Sequence, residues 1–252
     1  MHSLPGREAH LLLEFLAYFV GARIYWTQAR RQPRPAAWID RMALVAGAIF
    51  GAALGSKLLH VAEHLPFLMA QGTPELWLGG KSVLGGFIGG TLGVEIAKRA
   101  TGWRTSTGDA WVPALAAGLI IGRLGCQLSG LWDQTFGNPT TLPWGWDYGD
   151  GVARHPAAAY EMLLVSALYL GVRGCFREAP GARFAAFLGG YCLLRFGLEF
   201  FKAPFGPAPA DTLPVALYAG LTAIQWVAVL GMAGYAWLFA RRVRTPQLQL
   251  TA

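Results

Sequence analysis

Charge is what this chain most conspicuously lacks. Asp, Glu, Lys and Arg make up 14% of its 252 residues, against about 25% in soluble domains. Hydrophobic residues reach 54%, too many for a water-soluble core of this size, so lipid is the expected solvent. Cysteine is scarce as well: Cys126, Cys175 and Cys192. The topology below sets Cys126 and Cys175 near opposite membrane faces, so no pairing is expected and all three read as small packing residues. Familiar catalytic signatures are missing. There is no GxxxxGK[ST], no HExxH, no zinc-type Cys/His spacing and no GxSxG. No DxxD-type aspartate cluster lies in the apolar runs, so no metal or other cofactor is expected. The net charge of +7 is spread over short loops, with no long basic stretch interleaved with aromatics. Nucleic acid is therefore not an expected partner.

What is present is a series of apolar runs at roughly 10–26, 42–62, 82–97, 109–126, 157–172, 183–201 and 213–240. Each approximates one bilayer crossing. The expected fold is all-α: a single polytopic domain over 1–252 with about seven transmembrane helices. Arg30, Arg31, Arg34 and Arg41 follow the first run, and Lys98, Arg99 and Arg104 the third. Arg173, Arg177 and Arg183 follow the fifth, and Arg241, Arg242 and Arg244 the last. The alternation predicts those loops and the C-terminus in the cytoplasm and the N-terminus outside. Segments 63–81 and 127–156 then face the periplasm. The second carries Trp132, Trp144 and Trp146, residues that favour the headgroup region. The first reads either as a helix lying in the interface or as an ordinary loop.

Charges inside the runs are candidates for function. Arg195 and Glu199 are four apart and share a helix face, which Lys202 continues. Burying an Arg costs about 2.5–3.5 kcal/mol on insertion scales, so the pair either locks helices together or holds a ligand. Arg123 ends the fourth run among glycines, near the outer headgroups, placed to grip a phosphate or to snorkel. Arg154, His155 and Pro156 precede the fifth run, with Tyr160 and Glu161 one turn in. This group reads either as a working cluster or as a cap in which Arg154 pairs with Glu161. Glu14, Lys57 and His60 also fall within apolar runs, with partners across helices expected.

Five blocks carry a resemblance: GGKSVLGGFIGG (79–90), GRLGC (122–126), GNPTTLPWG (137–145), RHPAAAYE (154–161) and RFGLEFFK (195–202). In order and helix position they resemble the prolipoprotein diacylglyceryl transferases, seven-helix proteins with the N-terminus outside. The resemblance implies transfer of the diacylglyceryl group of phosphatidylglycerol to the thiol of a lipobox cysteine in a prolipoprotein signal peptide, releasing glycerol phosphate. It implies a multi-pass protein of the bacterial inner membrane. It marks Arg123, Arg195, Glu199 and His155 as catalytic candidates. Arg154, Tyr160, Glu161, Gly85, Gly86 and Gly137 follow as substrate-binding candidates, with Lys57, Glu14 and Asp133 as further ones at places where this chain departs from the family pattern. Leu84 stands where the family often has a His before its glycine pair, Cys126 where Asn is common, and Asp133 near a usual Glu. Leucine cannot move a proton, so two other readings stand beside the first: the same fold acting on another acceptor, or a lipid-binding membrane protein without catalysis.

Displacement at a glyceryl carbon makes two demands. The leaving phosphate needs positive charge, for which Arg123 and Arg195 are candidates. The nucleophile needs a proton acceptor, for which His155, Glu199, Glu14 and Asp133 are candidates.

Overall fold

Apolar runs without internal breakers become long helices, and the loops between them are set by caps. The computed structural model describes residues 6–31, 37–202, 204–206 and 213–244; Arg34 and most of 202–212 lie outside these. Among the described residues, seven helices have sixteen residues or more: α1 (Gly6–Ala29), α2 (Trp38–Gln71), α4 (Val83–Thr101), α5 (Trp111–Leu128), α6 (Ala157–Val172), α7 (Ala182–Leu198) and α8 (Ala223–Arg244). A short α3 (Pro74–Leu78) links α2 to α4. Helices α2, α5, α7 and α8 with their flanking turns are long and apolar enough to cross a membrane, and α6 is a shorter apolar helix. Leu12, Phe15, Phe19, Phe50, Leu54, Leu163, Leu230 and Trp237 are all exposed, a side-chain set that suits lipid rather than water. The protein is an all-α polytopic membrane protein.

Two run boundaries differ from expectation. Helix α2 does not stop near residue 62 but continues through Pro66 to Gln71, about 51 Å at 1.5 Å per residue. The 63–81 segment is thus an extension of α2, then α3. The last helix begins at Ala223 rather than 213. The preceding chain forms a hairpin of β3 (Leu217–Tyr218) and β4 (Leu221–Thr222) through Ala219 and Gly220, both at positive φ. Thr222 N donates to Gln225 Oε1 (3.0 Å) and Gln225 N to Thr222 Oγ1 (3.1 Å). This reciprocal bonding is a capping box, and it fixes the helix start.

The tightest seam joins α2 and α4. Gly47, Gly51 and Gly55 face Gly93, Gly89 and Gly85 in antiparallel order, and a Cβ on Gly51 would collide with the Gly89 carbonyl oxygen. Small residues at four-residue spacing let two backbones approach closely in lipid. Gly89→Leu should therefore destabilise the protein toward the upper end of the roughly 1–3 kcal/mol typical of overpacking, because the obstacle is backbone. A lower unfolding temperature in detergent, with less protein in the membrane fraction, is the expected readout.

The remaining helices alternate in direction. Gly6 abuts Ser129 while Tyr25 stacks on Trp111 at 3.9 Å, so α1 runs against α5. Gly231 meets Cys192 and Gly181 lies near Arg242, so α7 runs against α8. The core between them holds Leu59, Leu84, Val112, Val165, Phe187 and Tyr191. One end of the bundle gathers the start of α1, the ends of α2, α5 and α7, and the starts of α4, α6 and α8. The polar side chains concentrate there. The segment between α5 and α6 closes over it with β1 (Trp146–Asp147) paired to β2 (Ala153–Arg154).

Candidate active site

Three helix ends supply the buried ionic core. Arg123 sits near the end of α5, Glu161 one turn into α6, and Arg195 near the end of α7. Glu161 is the hub. Its Oε1 lies 3.0 Å from Arg123 Nε and accepts from Tyr191 Oη at 2.8 Å. Its Oε2 accepts from Arg195 Nη1 at 3.0 Å, and Arg195 Nη2 donates to Glu199 Oε2 at 2.8 Å. The Glu161 residue is 1% exposed, Glu199 2% and Arg195 5%. Four charges in lipid-depth surroundings persist because each meets an opposite one. Glu63 of α2 lies within electrostatic reach of Glu199, Arg195 and Lys202, and Lys202 interacts with both arginines and both carboxylates.

The donors are used unequally. Both terminal nitrogens of Arg195 are bound to carboxylates. Arg123 meets Glu161 through Nε, and its Nη1 donates to Cys126 Sγ at 3.6 Å. Among the described residues Arg123 thus meets a carboxylate through Nε alone, while both terminal nitrogens of Arg195 are engaged. The alternative of a cap in which Arg154 pairs with Glu161 is not the one formed. Arg154 instead donates to Asp150 Oδ1 at 2.6 Å and covers the Phe136 ring at 5.2 Å. The four-residue spacing within β-hairpin reach makes Asp150 the nearer carboxylate, and this bond holds its carboxyl below the ordinary range.

His155, Tyr160 and Gly137 form a second group. His155 Nδ1 lies 3.2 Å from Tyr160 Oη, which accepts from Trp144 Nε1 at 2.8 Å. Phe201 packs on the His155 ring with centroids 5.0 Å apart. Gly137 N donates to His155 O at 2.8 Å and Asn138 N to Phe201 O at 2.6 Å. A Cβ at Gly137 would come within 2.6 Å of His155 Cβ, so only glycine lets the 137–145 segment bind across these two carbonyls. Nearby Tyr148 donates to Gln127 Oε1 at 3.0 Å, and burial pushes its hydroxyl up to about 12.

The remaining candidates separate by role. Glu14 accepts from Lys81 Nζ at 2.8 Å and Tyr18 Oη at 2.7 Å. Asp133 Oδ1 lies 3.2 Å from His10 Nδ1, and Asp133 Oδ2 accepts from Thr135 Oγ1 at 2.6 Å. Lys57 is not aimed at a ligand. Its ammonium donates to the carbonyls of Leu78, Gly79 and Gly80, pinning the turn before α4. Gly85 is consumed by the α2–α4 seam, whereas a Cβ on the adjacent Gly86 would have room. Leu84 is 2% exposed within the apolar core. Of the cysteines, Cys126 and Cys192 are buried but Cys175 is exposed, and all are free thiols. Cys175 lies in the exposed turn after α6 rather than filling a seam, so it is not the packing residue expected. Glu63, Asp150, Tyr191 and His10 escaped the sequence reading. Tyr191 precedes Arg195 by four, and His10 precedes Glu14 by four; that spacing on one face was the available signal.

Together these features define a polytopic membrane protein with a buried arginine–carboxylate network near one end of the bundle. A family profile described as prolipoprotein diacylglyceryl transferase matches residues 10–241. Similar proteins named phosphatidylglycerol–prolipoprotein diacylglyceryl transferase include one from Bordetella parapertussis, 31% identical over 81% of this chain and 78% of its own. Another from Azoarcus sp. is 33% identical over 86% and 83%. A third from Solidesulfovibrio magneticus is 32% identical over 90% and 88%. The chain belongs to the prolipoprotein diacylglyceryl transferase family.

Proposed function

We propose that this protein transfers the diacylglyceryl group of phosphatidylglycerol to the lipobox cysteine thiol of a prolipoprotein, releasing glycerol phosphate. The observation that carries this reading is the Arg123 guanidinium, held at Nε by Glu161 with its other edge, among the described residues, uncommitted to any carboxylate. A guanidinium fixed in this way is pre-set to grip the phosphate that leaves. Arg195 and Glu199 act behind it as positioning groups. His155 and Tyr160, with Arg154 beside them, line the headgroup end, and Gly137 keeps the overlying segment close. Exposed Trp132, Trp144 and Trp146 would sit at headgroup level.

The arrangement in the membrane follows from charge. The polar end lies opposite Arg30, Arg31, Lys98, Arg99, Arg173, Arg241 and Arg242, which cluster at the other end of the bundle. The positive-inside preference puts that basic end in the cytoplasm of a bacterial inner membrane and the site at the periplasmic leaflet. Phosphatidylglycerol and the lipobox peptide would both reach it from there.

Leu84, buried and apolar, favours a second reading in which the acceptor is something other than a lipobox thiol. Purified protein incubated with labelled phosphatidylglycerol and a lipobox peptide separates the two. Labelled peptide is the expected result; release of glycerol phosphate without peptide label supports the second reading. In the same assay Gly137→Ala should lower turnover roughly a hundredfold, the penalty of shifting catalytic neighbours by about 1 Å. Its unfolding temperature should stay close to that of the unmodified protein.

A further inference from the structure

The segment between α5 and α6 holds a groove that the site described above does not use. Residues 137–140 run antiparallel to 153–155, with His155 N donating to Asn138 O at 3.0 Å and Thr140 N to Ala153 O at 2.9 Å. Past that last bond the two chains splay. Between them lies a cavity of about 540 Å³ lined by Pro139, Thr140, Thr141, Gly151, Val152 and Ala153. Its edges carry unpaired main-chain groups: among the described residues, the N–H and C=O of Thr141 and the C=O of Gly151 make no hydrogen bond. The walls are fixed in advance. Asp147 Oδ1 accepts from the N–H groups of Gly149 at 2.8 Å, Asp150 at 3.1 Å and Gly151 at 3.0 Å. Val152 N donates to Asp150 Oδ1 at 3.2 Å. On the other side Leu142 N donates to Thr140 Oγ1 at 3.2 Å, and a Cβ on Gly145 would meet Thr140 Cγ2 and Ala153 Cβ at 3.1 Å.

We propose that this groove holds, as an added extended strand, the polypeptide that follows the acceptor cysteine. An unpaired main-chain edge is a template for strand addition, in which main-chain hydrogen bonds supply the affinity. The groove is continuous with the site. Its inner strand, Val152-Ala153-Arg154, runs directly into His155, and the 142–145 turn is tied to Tyr160 through Trp144 Nε1 at 2.8 Å. Val152 and Ala153 stand three and two residues from His155, about 7–10 Å along a strand. A chain leaving the site covers that distance with the second and third residues after its reactive cysteine.

Charge selects a peptide over a lipid headgroup. None of the six lining residues is charged. The cation beside them, Arg154, is bound to Asp150, and Asp147 is bound to the main chain. An anionic phosphate gains little from such a lining, whereas a peptide offers an N–H and a C=O at nearly every residue. This inference rests on the transferase reading and deepens it: the lipid is held at Arg123 and the peptide through its main chain, so recognition past the cysteine depends little on side-chain identity. Binding of this kind lowers KM and leaves the chemical step alone.

Two lipobox peptides test it with the full-length protein in detergent, one ending in an amide at the acceptor cysteine and one continuing for several uncharged residues. With wild-type protein the longer peptide should show a KM roughly tenfold lower, the scale of one or two net hydrogen bonds, at similar kcat. Val152→Trp, which fills the cavity, and Thr141→Pro, which removes the edge N–H, should each bring the two KM values together. Unfolding temperatures check that both variants are folded. A photo-crosslinking residue placed third after the cysteine should label residues 139–153, a readout that needs no turnover. Equal KM values in wild-type protein, or a gap between the peptides that both variants preserve, would overturn the proposal, while the labelled peptides leave the transferase reading intact. So would cross-links confined to other segments. A Val152→Trp variant whose KM changes for phosphatidylglycerol alone would give the groove to the headgroup and overturn it as well. Cross-links at 139–153 without transfer to either peptide would instead sink the transferase reading.

Discussion

Glu161→Gln should eliminate transfer and also strip most of the protein from the membrane. Among the described residues, Glu161 is the carboxylate that Arg123 meets and one of two that Arg195 meets. An amide offers one neutral oxygen, and its NH2 group would face a guanidinium or the Tyr191 hydroxyl. Breaking a buried ion pair by removing one partner typically costs about 3–5 kcal/mol, because the other charge is left uncompensated. Here Arg123 is left without its carboxylate, and Arg195 keeps Glu199 alone. The expected result is a steep fall in abundance and unfolding temperature, with no measurable transfer from what remains. Adding Arg123→Gln to Glu161→Gln removes one stranded charge, so the double variant should recover part of the abundance and none of the activity. Strict additivity of the two losses would mean that the residues do not act as one network.

Arg123→Ala should behave in the opposite way. Glu161 would still accept from Arg195 and Tyr191, so its negative charge stays neutralised and the fold is expected to survive. Turnover should drop about 10²–10³-fold, the scale seen when one preorganised donor to developing charge is lost. Arg123→Lys should recover little, because a compact ammonium cannot hold Glu161 and a phosphate through separate edges. The comparison of the two positions is the informative one. Glu161 carries architecture and chemistry together, and Arg123 carries chemistry almost alone. Protein level by immunoblot and turnover per molecule, measured on the same preparations, separate them.

Much of the fold was legible because apolar runs and basic loops are local signals. The seven runs correspond to seven long helices, and the Arg195–Glu199 pair at four-residue spacing is present at 2.8 Å. Errors arose where a local rule was overridden or missed. Helix α2 runs on through Pro66, and its Lys57 bonds the carbonyls of Leu78, Gly79 and Gly80 that follow α3. The start of α8 was readable in Thr222-x-x-Gln225, a capping signature hidden inside an apolar run. The glycines of α4 suggested close approach, but their partners at 47, 51 and 55 became evident only when α2 was seen beside them.

The hub of the site was the least legible feature. Arg123, Glu161 and Arg195 are separated by 38 and 34 residues in sequence, and no spacing rule links positions on three different helices. Arg154, at a separation of seven, was one of the two open readings for a partner of Glu161. The hairpin turns Arg154 toward Asp150 instead. Similarly, His10 carried no signal beyond its distance of four from Glu14, because its neighbours Cys126 and Asp133 are brought to it by the α1–α5 packing.

The central claim is that Arg123 presents its guanidinium to the phosphate of an anionic lipid at the mouth of this network. A density map of the protein bound to phosphatidylglycerol tests it directly. Phosphate oxygens about 2.7–2.9 Å from the Arg123 terminal nitrogens, with Glu161 still at Nε, are the predicted result. A headgroup seated against other side chains, with Arg123 turned wholly onto Glu161, would contradict it.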